Sequence, residues 1–180
     1  MHRRLTSRTL PGEVKDLNAL RKGSMNASSA VVTANRSARA VPAILVGGLI
    51  AGTLDAILAF YTFGSRMPQG IASGLLGRSS FQGGAATWIL GLALHFLIAL
   101  SMASVYFAAS RELPFLKEYP LICGLFYGMA LYLVMNLVVV PLSAIHVRGP
   151  IERADLIHGL LVHMILIALP IAYSVRAFSK

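Results

Sequence analysis

The sequence predicts an all-α fold: a four-helix transmembrane bundle preceded by a disordered basic N-terminal arm. The 180 residues are 56% hydrophobic, above the roughly 45–50% that is typical of soluble domains, and their mean hydropathy is +0.70. The apolar residues form four runs, each with about the 20 residues that a helix needs to cross a 30 Å hydrocarbon core. Isolated strands cannot satisfy their backbone in lipid, so runs of this length are predicted to be helices.

Residues 1–40 form the predicted arm. They are rich in Arg, Ser, Thr, Asn and Ala and lack an apolar stripe at helical spacing, which is typical of disorder. No aromatic residue lies among their basic side chains, so we expect them to contact anionic lipid headgroups rather than nucleic acid. Met25 is an alternative to Met1 as the start of the chain.

The transmembrane domain is predicted over residues 41–180, with helices at 41–63, 85–109, 119–141 and 154–175. The longest connection, residues 64–84, has an apolar centre, IASGLLG, at residues 71–77. This centre predicts a short interfacial or re-entrant helix. Gly149-Pro150 is placed to begin the fourth helix, with Asp155 in its first turn, where a carboxylate favours the helix dipole.

The distribution of charge predicts the orientation. Twelve of the 16 Lys and Arg residues lie in the arm, in the connection between the second and third helices, or at the C-terminus. The positive-inside rule therefore predicts that both termini are cytoplasmic. The first helix is long enough to span and has no convincing cleavage site, so we interpret it as a retained helix rather than a signal peptide.

Glycine spacing suggests both close helix packing and an internal repeat. GLIAG at 48–52 is similar to GLFYG at 124–128, and G-x-x-x-H at 91–95 recurs at 159–163. Two hairpins copied in the same orientation would be parallel repeats. Small residues let membrane helices approach closely, so we predict packing within one bundle, with a homo-oligomer or another membrane protein as the alternative partner. The predicted packing residues are Gly48, Gly52, Gly91, Gly124, Gly128 and Gly159.

Polar side chains interrupt every predicted helix, and they form the candidate site. Counted from the external helix ends, three lie roughly 12–15 Å deep and two roughly 6–8 Å deep at 1.5 Å per residue. Ionisable groups are costly in hydrocarbon, so we expect them to face inward and to partner one another. The three deeper residues are Asp55, His95 and His163, and the other two are Asn136 and His158.

Three interpretations of this polar cluster remain open. It is a structural hydrogen-bond network that fixes helix register, or a proton or small-solute site of a transport or sensing protein. The third interpretation is a metal or b-type haem held by His95 and His163; otherwise no cofactor is predicted. There is no H-E-x-x-H motif, and Ser73 in GIASGLLG matches neither G-x-S-x-G nor G-x-S-G, so we predict no enzyme activity.

A resemblance follows from four segments: GLIAGTLDAILAFYTFG, LHFLIALSMASVYF, GLFYGMALYLVMNLVVVPLSAI and HGLLVHMILIALPIAYSVRAFS. In these segments the chain resembles small, uncharacterised four-helix bacterial inner-membrane proteins, and more faintly the YagU-like family. The resemblance covers about residues 44–178. It implies an inner-membrane location and supplies no catalytic residues.

Overall fold

Helices account for all the regular structure in the described part of the chain. The computed structural model describes residues 11–145 and 153–178, with side chains at 21–25, 39–145 and 153–178. Four helical segments are long and apolar enough to cross a membrane, as the sequence predicts. They are Arg39–Gln82, Gly84–Glu112, Pro120–Leu142 and Arg153–Phe178.

The chain divides into two compact units, Met1–Ala38 and Arg39–Lys180. Helix α1 extends from Pro11 to Phe63, so the structure differs from the predicted disordered arm over residues 11–40, which are helical. Proline at the first helical position and an acidic residue in the first turn favour a helix start. The Ala, Leu, Lys and Arg residues that follow are good helix formers. Residues 1–10 lie outside the described residues, as does the predicted helix start at 149–150.

A short helix follows α1. Gly64, with a φ of +69°, ends α1 in a conformation that glycine adopts without strain. Helix α2 (Met67–Leu76) has Pro68 near its start and ends at Gly77, which has a φ of +67°. The short helix predicted in this connection is therefore confirmed. It is flanked by 3₁₀ turns at Gly64–Arg66 and Gly77–Gln82.

Four further helices complete the chain: α3 (Gly84–Glu112), α4 (Phe115–Glu118), α5 (Pro120–Leu142) and α6 (Arg153–Phe178). Both α5 and α6 contain π-helical segments, Met135–Val139 and Val162–Ala168. Each segment ends two residues before a proline, Pro141 or Pro170. Proline lacks the N–H that closes an α-helical turn, and a π-bulge is one way for a helix to accommodate that loss.

We call the half of the bundle nearest the ends Arg39, Glu112, Pro120 and Phe178 the terminal half, and the opposite half the loop half. The terminal half contains most of a tightly packed core from α1, α3 and α6. Its largest fully buried members are Tyr106, Ile171 and Val175, each 1% exposed or less. The full cluster is Ala43, Ala51, Ala103, Tyr106, Ile167, Ile171, Ala172 and Val175.

Hydrogen bonds between elements reinforce this core. The Ser174 hydroxyl of α6 donates to the carbonyl oxygen of Ala43 in α1 at 3.0 Å. The Tyr127 hydroxyl of α5 donates to the carbonyl oxygen of Met102 in α3 at 2.7 Å. In helices that cross a membrane, close packing and such bonds, rather than hydrophobic burial, provide the association.

The six predicted packing glycines all lie against another helix of the same chain. A Cβ added at Gly48 would lie 2.8 Å from Leu100 Cδ2, and one at Gly124 would lie 3.0 Å from Leu169 Cδ2. The remaining contacts pair Gly52 with Phe96, Gly91 with the Pro68 backbone, Gly128 with the Met164 backbone, and Gly159 with the Tyr132 ring. These contacts allow backbones to approach closely in both halves of the bundle.

In the loop half, α2 lies against α3. The indole N–H of Trp88 donates to the carbonyl oxygen of Ser65 at 3.0 Å, and the Thr87 hydroxyl donates to that of Ser80 at 2.7 Å. The backbone N–H of Ala144 donates to the carbonyl oxygen of Gly74 at 2.8 Å. These bonds hold α2 between α3 and the chain that follows α5.

Candidate functional site

A cavity of about 890 Å³ lies within the loop half, in the size range of ligand pockets. On α1 its wall is a stripe at spacings of three and four: Ala51 or Gly52, Asp55, Ala59 and Phe63. Helices α2, α3, α5 and α6 complete the wall. Ala51 and Ile167 also belong to the buried core, so they form the boundary between core and cavity. Several wall residues are exposed, among them Phe63, Leu75 and Leu142.

His95 extends from α3 into this wall and is 8% exposed. Its Nε2 lies 2.8 Å from the carbonyl oxygen of Gly52 in α1. A carbonyl oxygen only accepts, so we assign the hydrogen to Nε2. In a neutral imidazole, Nδ1 then carries a lone pair. The missing side chain at Gly52 gives α3 the room for this contact, since an added Cβ would lie 3.1 Å from the Cβ of Ala99.

Asp55 faces that second nitrogen. Its Oδ2 lies 4.0 Å from His95 Nδ1, which is too long for a hydrogen bond but close enough for strong electrostatic interaction away from water. A carboxylate and a lone pair repel each other, whereas one proton on either group makes the pair attractive.

His163 adds a third ionisable group from α6. Its Nδ1 lies 2.9 Å from the carbonyl oxygen of Gly159, one turn earlier, so by the same reasoning Nδ1 carries the hydrogen and Nε2 a lone pair. The Tyr132 ring packs edge-on against the imidazole with centroids 5.4 Å apart. His163 lines the cavity and lies within electrostatic range of Asp55. We call Asp55, His95 and His163 the polar centre.

The structure does not bring the other two predicted residues to this centre. The side-chain amide of Asn136 donates to the carbonyl oxygen of Tyr132 in its own helix at 2.9 Å, and Met135 and Val139 line the cavity instead. Asn136 lies inside a π-helical segment, where the phase departs from 3.6 residues per turn. His158, in the second turn of α6, is exposed.

The haem interpretation stays a prediction. Ligation through His95 Nε2 would replace its contact with Gly52 O, and ligation through Nδ1 would displace Asp55 from beside the ring. Over the described residues, no group of three or more His, Cys, Asp or Glu is placed to hold a metal ion.

Several wall residues were not identified from the sequence. Arg66 and Ser143 are polar side chains at the loop end of the cavity. Helix α2 contributes Met67, Ile71 and Leu75 to the wall, and the apolar stretch at 71–77 was the available signal. Ser73 is fully buried, and its hydroxyl bonds to the carbonyl oxygen of Gly70, so it has no exposed nucleophilic position.

Comparison with models of protein families, with curated proteins and with solved structures finds no match to this chain. The similarity to small bacterial inner-membrane proteins therefore stays a prediction.

Proposed function

We propose that this chain is a multi-pass membrane protein that transports or senses a small solute in exchange for a proton bound between Asp55 and His95. One observation carries the proposal: ionisable side chains from three helices, Asp55, His95 and His163, line one cavity whose other wall residues are apolar apart from Arg66 and Ser143 at the loop end. Ionisable residues inside membrane-spanning helices are costly and are most often functional.

The proton follows from the hydrogen-bond geometry. The bond to Gly52 fixes the Nε2 hydrogen of His95, so Nδ1 and the Asp55 carboxylate must share any additional proton. In a largely apolar wall, an unpaired carboxylate is disfavoured. One proton makes the pair either an imidazolium beside a carboxylate or an imidazole beside a carboxylic acid, and both are neutral overall. Gain and loss of this proton changes the charge of the cavity wall by one unit.

The core limits the cavity on one side. The cavity lies in the loop half and meets the core at Ala51 and Ile167. Passage of a solute would require α5 or α6 to move. Their π-helical segments, Met135–Val139 and Val162–Ala168, lie beside the cavity, and such segments often occur at functional sites.

The same proposal places the bundle in the bacterial inner membrane with both termini cytoplasmic, because of the distribution of Lys and Arg.

The proposal also includes an internal repeat of two parallel hairpins. In the first, Gly52 lies against the helix turn that carries His95, and in the second, Gly128 lies against the backbone of His163. Equivalent glycines therefore contact the histidine-bearing turn of the next apolar helix in both hairpins.

The rival function, a structural protein that binds partner helices through its glycine faces, has less support. All six glycines face helices of this same chain, so their close-packing surfaces are already used. A protein of this kind would also gain nothing from a cavity beside an ionisable centre, because buried charge costs free energy unless it is paired.

Proton uptake by the purified protein in nanodiscs tests the proposal. Between about pH 9 and pH 5, exposed carboxylates stay ionised, so wild-type protein is expected to take up one proton more than Asp55→Asn. The matched control is Asp155→Asn, which removes an exposed carboxylate from the first turn of α6 and should leave uptake unchanged. Equal uptake by the wild type and Asp55→Asn would exclude a proton site at this pair.

A further inference from the structure

Resting on the proposed function, we propose that the cavity binds a lipophilic organic cation, whose charge takes the place of the proton at Asp55. The inference deepens the function by naming the class of solute. It rests on which imidazole nitrogens of the polar centre carry hydrogen and on which residues form the cavity wall.

Without its proton, the polar centre presents only hydrogen-bond acceptors to the cavity. His95 and His163 each commit a ring hydrogen to a backbone carbonyl, Gly52 O and Gly159 O. Their second nitrogens then offer lone pairs, and Asp55 offers a carboxylate. At this centre, three electron-rich groups from three helices attract a positive charge and repel an anion, while the cationic Arg66 lies away from them at the loop end of the wall.

The remaining wall fits an apolar molecular body. Most of its other side chains are aliphatic, and Phe63, Phe81 and Met102 add aromatic and sulfur atoms, which interact favourably with organic cations and flat rings. A polyol would leave many hydroxyls without partners. A bare metal cation would need more ligands than the described residues supply. An organic cation with a large apolar surface fits both the polar centre, through its charge, and the apolar wall, through its body.

The exchange with a proton follows from charge balance. When the cation binds beside Asp55, the proton held by Asp55 and His95 leaves to water, so the charge inside the bundle is unchanged. The other charged or titratable groups on the wall are His163 from α6 and Arg66 from the turn after α1. The parts of α2 and α5 that line the cavity contribute none. Cation affinity is therefore expected to fall with falling pH, by up to about tenfold per pH unit for one displaced proton.

Two probes of the same shape and opposite charge test this inference in full-length protein in nanodiscs: tetraphenylphosphonium and tetraphenylborate. We expect saturable tetraphenylphosphonium binding that releases up to one proton per bound cation and, in a separate titration without the phosphonium, no comparable tetraphenylborate binding. Asp55→Asn should weaken the binding by about tenfold or more, which corresponds to the loss of roughly 1.4 kcal/mol. Asp155→Asn should bind as the wild type does.

Each other result overturns the inference. Tetraphenylborate binding as tight as that of the phosphonium would show that charge is not recognised, and phosphonium binding insensitive to Asp55→Asn would place the site elsewhere. If Asp55→Asn does not fold, the wild-type charge preference and proton release decide alone. If the protein takes up the Asp55-dependent proton but binds no phosphonium, this inference is wrong and the proposed function stands. If the protein shows no Asp55-dependent proton uptake, the proposed function itself is wrong.

Discussion

The two halves of this bundle use polar residues differently. In the terminal half, small residues and aromatics form most of the buried core, beside a surface pocket of about 640 Å³ that Tyr106 and Tyr127 help to line. Hydroxyls such as those of Ser174 and Tyr127 bond there to backbone carbonyls of neighbouring helices. In the loop half the helices line a cavity of about 890 Å³, and the polar side chains on its wall include an acid and two imidazoles. Polar groups therefore bridge helices in both halves, and in the loop half ionisable groups also line a cavity.

Because of this difference, we expect the terminal half to contribute most to stability and the loop half to contribute most to function. Buried side chains in mutual contact have few alternative arrangements, since close-packed interiors resist deformation. A cavity beside π-helical segments has fewer contacts to lose when helices shift. Substitutions in the terminal half should therefore reduce stability, and substitutions at the polar centre should change proton and cation binding.

The largest effect is expected from Ile171→Ala in the terminal half. Ile171 is fully buried, and truncation leaves a cavity that costs about 2–3 kcal/mol, near the low end for buried residues because the unfolded helices also lie in apolar lipid. Reversible unfolding in mixed detergent micelles measures the loss. The matched control is Ile165→Ala on the same helix, where the side chain is 48% exposed and the cost should be small. Equal losses at both positions would break the comparison between the halves.

A smaller and more local effect is expected from Gly91→Ala. Its new methyl group would occupy the position of the Pro68 backbone, so α2 must move away from α3 at a cost of about 1–2 kcal/mol. Hydrogen exchange should accelerate over residues 67–76 and remain unchanged over residues 167–175. Gly70→Ala is the control, since an added Cβ there meets nothing within 4 Å. Acceleration spread evenly over both halves would show that they are not separable.

The smallest effect is expected from Ser174→Ala, which removes the bond to Ala43 at 3.0 Å. Hydrogen bonds between membrane helices contribute about 0.6 kcal/mol on average and up to about 1.7. The same unfolding measurement should detect this loss, with Asp55-dependent proton uptake unchanged. A variant with normal stability but altered proton uptake would contradict the division of roles between the halves.

The apolar helices and α2 could be predicted because length and hydropathy determine what crosses a bilayer, and each run was long enough. The deep residues Asp55, His95 and His163 were recognised by equal depth. The backbone bonds that orient the two imidazoles were not predicted, since glycine carbonyls carry no signal in the side-chain pattern. The cavity was not predicted either, because no residue pattern in the sequence indicates where packed helices leave a space.

Asn136 and His158 were predicted to belong to the polar cluster from their depth along the helix, and the structure places both outside it. Asn136 follows Tyr132 by four residues and would share its face on a regular helix, but it lies in the π-helical segment and its amide bonds back to Tyr132. Pro141, two residues beyond the segment, was the signal available in the sequence. His158 lies five residues before His163, which turns it about 140° away on a regular helix, and the structure leaves it exposed.

Nitrogen-15 NMR of histidine-labelled protein in lipid bilayers tests the central claim most directly, namely that Asp55 acts on imidazoles from two other helices. We predict that Asp55→Asn changes the ring nitrogen shifts of His95 strongly and those of His163 measurably, while exposed His158 serves as an internal reference and does not change. We also predict that His95 carries its hydrogen on Nε2 in both proteins. If the shifts of His95 and His163 stay as constant as those of His158, the polar centre does not exist as a unit.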